Sequence, residues 1–223
     1  MEDLDISIYT TEAELLEVTV GEISELVDTQ LTSTGKFHLA LTGGTLGNLI
    51  AKELAAEFSQ GDWRGLHIWW SDERFVSLDS AERNDLVFCE AIGSESGVVV
   101  HRANGGGDVE VAAKTLEREI AGINMDLIIL GMGPDGHIAS LFPGALHADE
   151  NRDVFAITNS PKPPSSRVTF SLKKINSAAA IWLVASGENK ADAVAGLIEQ
   201  EYSLPVSHVN LSRLLVDSAA FGI

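Results

Sequence analysis

The chain has 223 residues, of which 45% are apolar and 22% are charged, and its formal net charge is −18. This balance is typical of a folded globular protein and argues against disorder, collagen and coiled coil. The strong acidity argues against general binding to a nucleic acid, whose phosphate backbone it would repel. The single cysteine, Cys89, cannot form an intrachain disulfide, which fits a reducing compartment.

The first five residues, Met-Glu-Asp-Leu-Asp, contain neither a basic nor an apolar stretch, so we expect no signal peptide. No apolar run reaches the 18 or so residues that a membrane span needs. We therefore expect a cytoplasmic protein with no membrane or nucleic-acid partner. The length fits a single α/β domain over residues 1–223, as a monomer or weak homodimer.

Short apolar runs alternate with stretches of helical period in the first half of the chain. Strands are predicted at residues 6–9, 37–41, 66–70 and 98–101. Helices are predicted from Thr11, where Glu14 completes a capping box, at residues 46–58, from near Asn84, and at residues 108–120.

The same alternation continues in the second half. Strands are predicted at residues 125–130, 154–158, 168–170 and 179–185, and helices at residues 188–200 and 211–220. Such an alternation predicts an α/β fold, a Rossmann-like and mostly parallel sheet with helices on both faces. Ligands of these sheets bind at the carboxyl ends of the strands, so the loops after strands are the candidate functional segments.

The first of these loops contains paired glycines between a strand and a helix. Gly43, Gly44 and Thr45 expose free backbone N–H groups at the positive end of the helix dipole, which predicts an anion site. The alternative is a tight turn in which Thr45 caps the helix.

The second loop follows the strand at residues 66–70 and carries three charged residues. Arg74 has the geometry to bind a phosphate or carboxylate with two hydrogen bonds, and Asp72 or Glu73 could hold its orientation. The alternative is an exposed, ion-paired loop.

The third loop, residues 131–144, follows the strand at 125–130 and contains His137 where a helix is predicted to begin. A helix N-terminus disfavours the imidazolium, so His137 is expected to be neutral near pH 7 and able to act as a general base. Residues 131–136 also match the dinucleotide pattern G-x-G-x-x-G. We reject that interpretation because Pro134 removes a backbone N–H and Pro143 ends the helix early.

A local reversal of charge lies between residues 152 and 190. Six basic residues face two acidic ones there: Arg152, Lys162, Arg167, Lys173, Lys174 and Lys190 against Asp153 and Glu188. Arg167 and Lys190 are predicted at element boundaries, where they could complete a pocket for an anionic substrate. For Lys173 and Lys174 we expect a solvated face.

Several common catalytic motifs are absent from the sequence. There is no G-x-x-x-x-G-K-[ST] phosphate loop, no H-E-x-x-H and no G-x-S-x-G. The six histidines show no metal-ligand spacing, so we expect neither a metal nor a cofactor. Attack by an activated water is then the simplest hydrolytic chemistry.

Taken together, the loops resemble those of the 6-phosphogluconolactonase family over nearly the whole chain. The resemblance rests on Gly43-Gly44-Thr45, Trp70–Arg74 with Asp79 and Asn84, residues 131–144, Arg167-Val168-Thr169 and residues 187–190. It implies a fold shared with glucosamine-6-phosphate deaminases and close to ribose-5-phosphate isomerases and CoA transferases. It also implies hydrolysis of 6-phosphoglucono-1,5-lactone to 6-phosphogluconate, the second step of the oxidative pentose phosphate pathway, without cofactor or metal.

The resemblance also suggests roles for these residues. The substrate phosphate would bind Gly43, Gly44 and Thr45, helped by Arg167 and Lys190. The catalytic group would consist of His137 as base, Arg74 or a nearby N–H group at the oxyanion, Asp72 orienting Arg74, and Asp135 orienting the loop of His137. One departure is Leu46-Gly47, where family members often have Thr-Pro.

Two alternatives compete with the lactonase. A deaminase loop of this type has a glutamate at the position of Phe142 and a tyrosine at that of Arg74, so both positions here match the lactonase pattern. A non-catalytic sugar-phosphate sensor would bind 6-phosphogluconate without turnover. The intact Asp135-Gly136-His137 argues against a sensor, because a sensor needs no base.

Overall fold

The computed structural model describes residues 4–223, so the expectation drawn from the first five residues falls mostly outside the described residues. Its strands are β1 (Asp5–Tyr9), β2 (Phe37–Leu41), β3 (Leu66–Trp70), β4 (Asp72–Arg74), β5 (Val99–Val100), β6 (Leu127–Gly131), β7 (Val154–Ile157), β8 (Arg167–Phe170), β9 (Ala180–Ala185) and β10 (Arg213–Asp217). Its helices are α1 (Glu12–Thr34), α2 (Gly44–Phe58), α3 (Leu86–Ala91), α4 (Val109–Ile120), α5 (Leu172–Asn176), α6 (Ala191–Ile198) and α7 (Ser218–Phe221). Single 3-10 turns span Glu188–Lys190 and Pro205–His208.

Seven strands form one parallel sheet in the order β1, β10, β9, β6, β2, β3, β5. The chain continues from β2 to β3 and β5 on one side, and from β6 to β9 and β10 on the other. The strand order therefore reverses between the neighbours β2 and β6. Open α/β sheets bind their ligands at such a reversal, beyond the carboxyl ends of the strands.

Both faces of this sheet are covered, which confirms the predicted fold. On one face, α1 and α2 pack against Leu39 and Leu41 of β2, and on the other, α4 and α6 share a second core with Ala40. Successive side chains of a strand point to opposite faces, so a doubly covered strand must be apolar throughout. This explains why the side chains of β6 are apolar and why those of β2 are apolar except at His38.

Helix starts agree with the capping residues seen in the sequence. The Thr11 side chain accepts a hydrogen bond from the backbone N–H of Glu14, and the Glu14 carboxylate accepts one from the backbone N–H of Thr10. Asp108 accepts from the backbone N–H groups of Glu110 and Val111 at the start of α4. These bonds satisfy N–H groups that have no partner within the helix.

A second, three-stranded antiparallel sheet, in the order β4, β8, β7, was not predicted. The runs at 154–158 and 168–170 are strands as expected, but they pair with each other and with β4 instead of joining the parallel sheet. The segment that forms β4 is polar, and its sequence therefore predicts a loop. Strand pairing depends on contacts between distant segments, which apolar runs do not encode.

The C-terminal prediction was wrong. Residues 211–220 were expected to form a helix, but they form β10, which is buried between β1 and β9, and only the short α7 follows. The apolar run Leu214-Leu215-Val216 is too short to distinguish a buried strand from a helix by periodicity. The helix expected at 188–200 is a 3-10 turn followed by α6.

Three histidines from neighbouring segments of the sheet stack on one another: His38 of β2, His67 of β3 and His101, which directly follows β5. The ring of His38 lies 4.6 Å from that of His67, and the ring of His67 lies 5.2 Å from that of His101. The buried His38 accepts a hydrogen bond at Nδ1 from the indole of Trp69, at 3.1 Å. Burial, with the charges of His67 and Lys36, lowers the pKa of His38 to about 4.

This shift predicts a loss of stability in acid. Because the pKa of His38 is lower in the folded state, the unfolded state binds more protons below about pH 6.5. The free energy of unfolding should fall by about 2 kcal/mol between pH 7 and pH 5 through this group alone. Urea unfolding of His38→Asn, which keeps an acceptor for Trp69, should lack this part of the pH dependence. His147→Asn, at an exposed histidine, is the control and should show the same pH dependence as the wild type. An equal decrease in the free energy of unfolding from pH 7 to pH 5 in all three proteins would contradict the prediction.

Among residues 4–223, no helix combines the length and the apolar character that crossing a membrane requires.

Candidate active site

A cavity of about 570 Å³ lies beyond the carboxyl ends of the central strands. Five segments of the described chain contribute most of its lining: the loops after β2, β6 and β9, the region of β4 with the loop that follows it, and the segment between β7 and β8 with the start of β8. The cavity is lined by Gly43, Gly44, Thr45, Asp72, Arg74, His137, Arg167 and Lys190, together with Asn84, Lys162 and others. Every predicted site residue except Asp135 thus lines one cavity, and Asp135 contacts His137 directly.

The paired glycines after β2 form the wall at the N-terminus of α2. Within the described part of the chain, no side chain caps this helix at Gly43, so its first N–H groups are open to a ligand. Gly43 must lack a side chain, because a Cβ there would lie 2.0 Å from the Asn84 side-chain oxygen. Gly44 adopts a φ of +83°, which glycine tolerates best.

The departure at Leu46-Gly47 has a packing reason. Leu46 is 8% exposed and belongs to the core under α2. A Cβ on Gly47 would lie 2.7 Å from both the methyl group and the carbonyl oxygen of Thr42. The Thr42 hydroxyl in turn accepts a hydrogen bond from the backbone N–H of Gly131, which ties the end of β2 to the end of β6.

The antiparallel pairing of β4 with β8 places two cations side by side. Arg74 lies directly opposite Arg167 in the register. The Nε of Arg74 is buried and has no hydrogen-bond partner among residues 4–223, while its Nη1 donates to the carbonyl oxygen of Glu82 at 2.7 Å. Arg167 is 5% exposed, and burial lowers its pKa, as does the charge of Arg74, whereas Asp72 raises it.

The expectation that Asp72 orients Arg74 was wrong. The Asp72 carboxylate accepts from the Ser140 hydroxyl at 2.6 Å and lies 3.5 Å from the Arg167 guanidinium. Its Oδ1 accepts from the Asn84 amide at 3.3 Å. The cross-strand neighbour of Asp72 is Thr169, which brings its carboxylate to the Arg167 side of the cavity.

Glu73 holds the backbone of Arg74 instead. Its buried carboxylate accepts from the backbone N–H groups of Arg74, Asn84 and Asp85, at 2.7, 2.8 and 3.0 Å. Burial raises the pKa of Glu73 to about 7, assisted by Asp85, while Arg83 opposes the shift. The three N–H groups and the Arg83 cation 3.5 Å away favour the ionised form.

His137 lies in the loop after β6, and no helix begins there. The segment after Gly131 consists of turns up to residue 150, with isolated bridges between Ile138 and Leu141 and between Phe142 and Ala145. The helix-dipole argument for a neutral His137 therefore fails. Burial of the imidazole lowers its pKa instead, although the carboxylate of Asp135 opposes this.

The His137 ring is fixed by two contacts. Its Nδ1 lies 2.5 Å from Oδ1 of Asp135, and its face stacks on Phe142 with ring centres 4.8 Å apart. Burial favours a protonated Asp135, but the hydrogen bonds from His137 and Lys162 lower the pKa of Asp135 to about 2. An ionised carboxylate only accepts hydrogen bonds, so Nδ1 carries the proton and Nε2 is the basic nitrogen.

Two further basic residues, Arg167 and Lys190, line the cavity. The Arg167 guanidinium donates to the carbonyl oxygens of Lys162, Pro163 and Pro164, at 3.2, 2.9 and 3.0 Å, so its position is fixed. Lys190 ends the 3-10 turn after β9, where burial lowers its pKa and the charge of Lys162 lowers it further. Among residues 4–223, four cationic and two acidic side chains line this cavity of an acidic protein.

The comparison with protein families agrees with this geometry. The model described as "Glucosamine-6-phosphate isomerases/6-phosphogluconolactonase" matches residues 10–216. The chain belongs to this family. The family membership predicted from the loop sequences is therefore confirmed.

Two curated members of the family show how similar the chain is to named proteins. The chain is 32% identical over 207 residues to the 6-phosphogluconolactonase of Mycobacterium leprae, covering 85% of this chain and 84% of that protein. It is 36% identical over 196 residues to the 6-phosphogluconolactonase of Mycobacterium tuberculosis, covering 80% and 78%.

Solved structures of the family have the same fold. The 6-phosphogluconolactonase of Thermotoga maritima superposes with a TM-score of 0.84 at 27% identity, covering 96% of this chain and 98% of that one. A monomeric glucosamine-6-phosphate deaminase superposes with a TM-score of 0.80 at 19% identity, covering 98% and 99%. This second likeness concerns the fold alone.

Sequence reasoning gave no role to three residues in or beside the cavity. Lys162 was only one of six basic residues in its region, and nothing in its sequence context points to His137. Ser140, which donates to Asp72, has the sequence context of an ordinary loop residue. Asn84 was named as part of the resemblance but was assigned no contact.

The expectation for Lys174 was wrong. Instead of lying on a solvated face, Lys174 is 2% exposed, and its Nζ lies 3.8 Å from the Asp153 carboxylate.

Proposed function

We propose that this protein hydrolyses 6-phospho-D-glucono-1,5-lactone to 6-phospho-D-gluconate, the second step of the oxidative pentose phosphate pathway. The observation that carries the proposal is the Asp135–His137 pair, whose basic Nε2 belongs to a ring on the wall of a cation-lined cavity. The names of the similar bacterial proteins support the same substrate.

The substrate phosphate binds at the paired glycines. The N-terminus of α2 offers uncapped N–H groups at Gly43, Gly44 and Thr45. Arg167 and Lys190, which line the same cavity, supply positive charge. Arg167 is held rigidly by three carbonyl oxygens, so it binds the dianion without a large loss of side-chain entropy.

His137 acts as the general base. Its Nε2 takes a proton from a water molecule while that water attacks the lactone carbonyl carbon. The imidazolium formed in this step is stabilised by the ionised Asp135 at Nδ1. As the ring opens, the same proton passes to the leaving ring oxygen, which restores neutral His137.

Arg74 stabilises the oxyanion. Arg74 lines the cavity, and its Nε has no hydrogen-bond partner in the described part of the chain, so we assign its guanidinium to the carbonyl oxygen on which negative charge develops. One such preorganised donor typically contributes about 3–4 kcal/mol to transition-state stabilisation. Asp72 serves the site differently from the role predicted for it, because it holds Arg167, Asn84 and Ser140.

A deaminase mechanism is less consistent with the surroundings of His137. At the position where deaminase loops carry a glutamate, Phe142 stacks on the imidazole. An aromatic ring there cannot relay a proton to or from His137. The cation of Arg74 suits a developing oxyanion better than it suits proton transfer on an amino sugar.

The lactone generated in place by glucose-6-phosphate dehydrogenase tests the proposal. The rate of lactone disappearance with added protein, without added metal, is expected to exceed the spontaneous rate by a factor that rises linearly with protein concentration. Glucosamine 6-phosphate serves as the comparison substrate and should release no ammonia. A lactone rate equal to the blank would refute the proposal, and binding of 6-phosphogluconate without turnover would then favour the sensor.

A further inference from the structure

Lys162 occupies an unusual position beside the His137–Asp135 pair. Its Nζ lies 3.2 Å from Oδ1 of Asp135 and 3.0 Å from Nδ1 of His137. The side chain comes from the segment between β7 and β8, and 41% of it is exposed. Lys162 is thus the most accessible member of a three-residue cluster at the cavity wall.

The contact between the ammonium group and His137 is electrostatically unfavourable. Nδ1 already carries a proton for Asp135, so it cannot accept one from Lys162. The charged groups that face the imidazole are Asp135 from its own loop, Lys162 from the β7–β8 segment and Asp72 from β4. The two carboxylates raise the pKa of His137, whereas Lys162 lowers it.

A second unfavourable interaction connects Lys162 to Lys190. Both residues line the cavity; burial lowers the pKa of Lys190, and the positive charge of Lys162 lowers it further, so the two ammonium groups repel each other. A dianion bound between them would relieve this repulsion. It would also compete with Asp135 for the hydrogen bonds of Lys162.

Only the side chain of Lys162 needs to turn for this exchange. The Ser160 hydroxyl donates to the carbonyl oxygen of Lys162 at 2.9 Å and accepts from its backbone N–H at 3.3 Å. The Arg167 guanidinium holds the same carbonyl oxygen at 3.2 Å. The flexible four-carbon stem can therefore reorient while the backbone remains in place.

We infer that Lys162 couples the binding of an anionic group in the cavity to proton transfer at His137. In the free protein the ammonium group of Lys162 contacts both His137 and Asp135. When a phosphate binds beside Lys190, this ammonium group leaves the pair and binds the phosphate. The negative charge of Asp135 then stabilises only the imidazolium of His137, so His137 is a stronger base than in the free protein. The inference rests on the proposed function, and it predicts that a phosphorylated lactone reacts faster than an unphosphorylated one once both are bound.

A direct test follows the imidazole of His137 by NMR titration, with sulfate as a dianion that does not titrate between pH 5 and 9. Sodium chloride at equal ionic strength is the reference. In the wild type, sulfate is expected to raise the proton-binding constant of His137 about fivefold. In Lys162→Met the constant should already be raised without sulfate, and sulfate should change it by less than about twofold.

Two further variants and one substrate make the test decisive. Lys173→Met, which removes an exposed lysine bound to Asp153 at 3.0 Å, should behave as the wild type. Lys190→Met should weaken sulfate binding, but at saturating sulfate its His137 proton-binding constant should rise as much as in the wild type.

The unphosphorylated substrate glucono-1,5-lactone gives a kinetic readout. Sulfate should raise its rate of hydrolysis by the wild type but not by Lys162→Met. No effect of sulfate on His137, or an equal effect in the wild type and Lys162→Met, would overturn the inference.

The titration also separates this inference from the proposed function. If no variant hydrolyses any lactone but sulfate still acts on His137 through Lys162, the reaction is wrong and the coupling stands. If the lactone is hydrolysed but the titrations of wild type and Lys162→Met respond identically, the reaction stands and the coupling is wrong.

Discussion

Replacing His137 with alanine is expected to lower kcat for lactone hydrolysis by roughly 10²–10⁴-fold, the usual contribution of a positioned general base. KM should change much less, because the phosphate is bound at the glycine turn and by Arg167 and Lys190. The fold should survive, since His137 lies in a loop outside both sheets. The spontaneous hydrolysis of the lactone sets the lower limit of the measurement and must be subtracted.

A second variant separates the loss of the base from the loss of packing. His137→Asn retains a donor for Asp135 at the position of Nδ1 but has no counterpart of Nε2, so it should be as inactive as His137→Ala. His147→Asn, at an exposed histidine outside the cavity, should retain full activity. A kcat within about threefold of wild type for either His137 variant would remove this residue from the mechanism.

The location of the site could be predicted from the sequence because of the topology of the sheet. Parallel strands all end at the same edge of a sheet, so residues that follow separate apolar runs must converge there. This places Gly43, Asp72 and His137 together although nearly a hundred residues separate the first from the last. The convergence requires only the order of strands and helices, and most of that order is visible in the apolar pattern.

The side-chain contacts within the site could not be predicted from the order of strands and helices. That Asp72 meets Arg167 and not Arg74 depends on the antiparallel pairing of β4 with β8, and β4 has no apolar signature. The loop after His137 contains apolar residues at helical spacing, yet it folds back on itself through the bridge of Ile138 with Leu141. Both outcomes depend on long-range packing, which local propensity does not determine.

The charged contacts of Lys162 could not be predicted from the sequence either. Its sequence neighbours identify it as a loop lysine, and only the fold brings it within 3.2 Å of Asp135, which lies 27 residues earlier. The pKa of His137 therefore depends on three charges that come from three separate segments. A neutral His137 was predicted, but burial and not a helix dipole is its physical cause.

Gly133 determines whether the His137–Asp135 pair can form at all. A Cβ at this position would lie 1.9 Å from Nδ1 of His137 and 2.5 Å from Oδ1 of Asp135. Neither distance is compatible with van der Waals contact, so the imidazole or the carboxylate must move by more than 1 Å. The flanking turn is fixed by the hydrogen bond from the Gly133 N–H to the His137 carbonyl oxygen at 2.9 Å, so the backbone cannot easily retreat.

Gly133→Ala is therefore expected to lower kcat at least about 10²-fold, the usual cost of displacing a catalytic group by about 1 Å. Steady-state kinetics and the thermal unfolding midpoint should be measured on the same preparation, since the variant should remain folded. Gly21→Ala is the matched control: its Cβ meets nothing within 4 Å inside α1, so it should raise stability by about 0.5–1 kcal/mol and leave kcat unchanged. Wild-type kcat in Gly133→Ala would mean that the contact between His137 and Asp135 is not required for proton transfer.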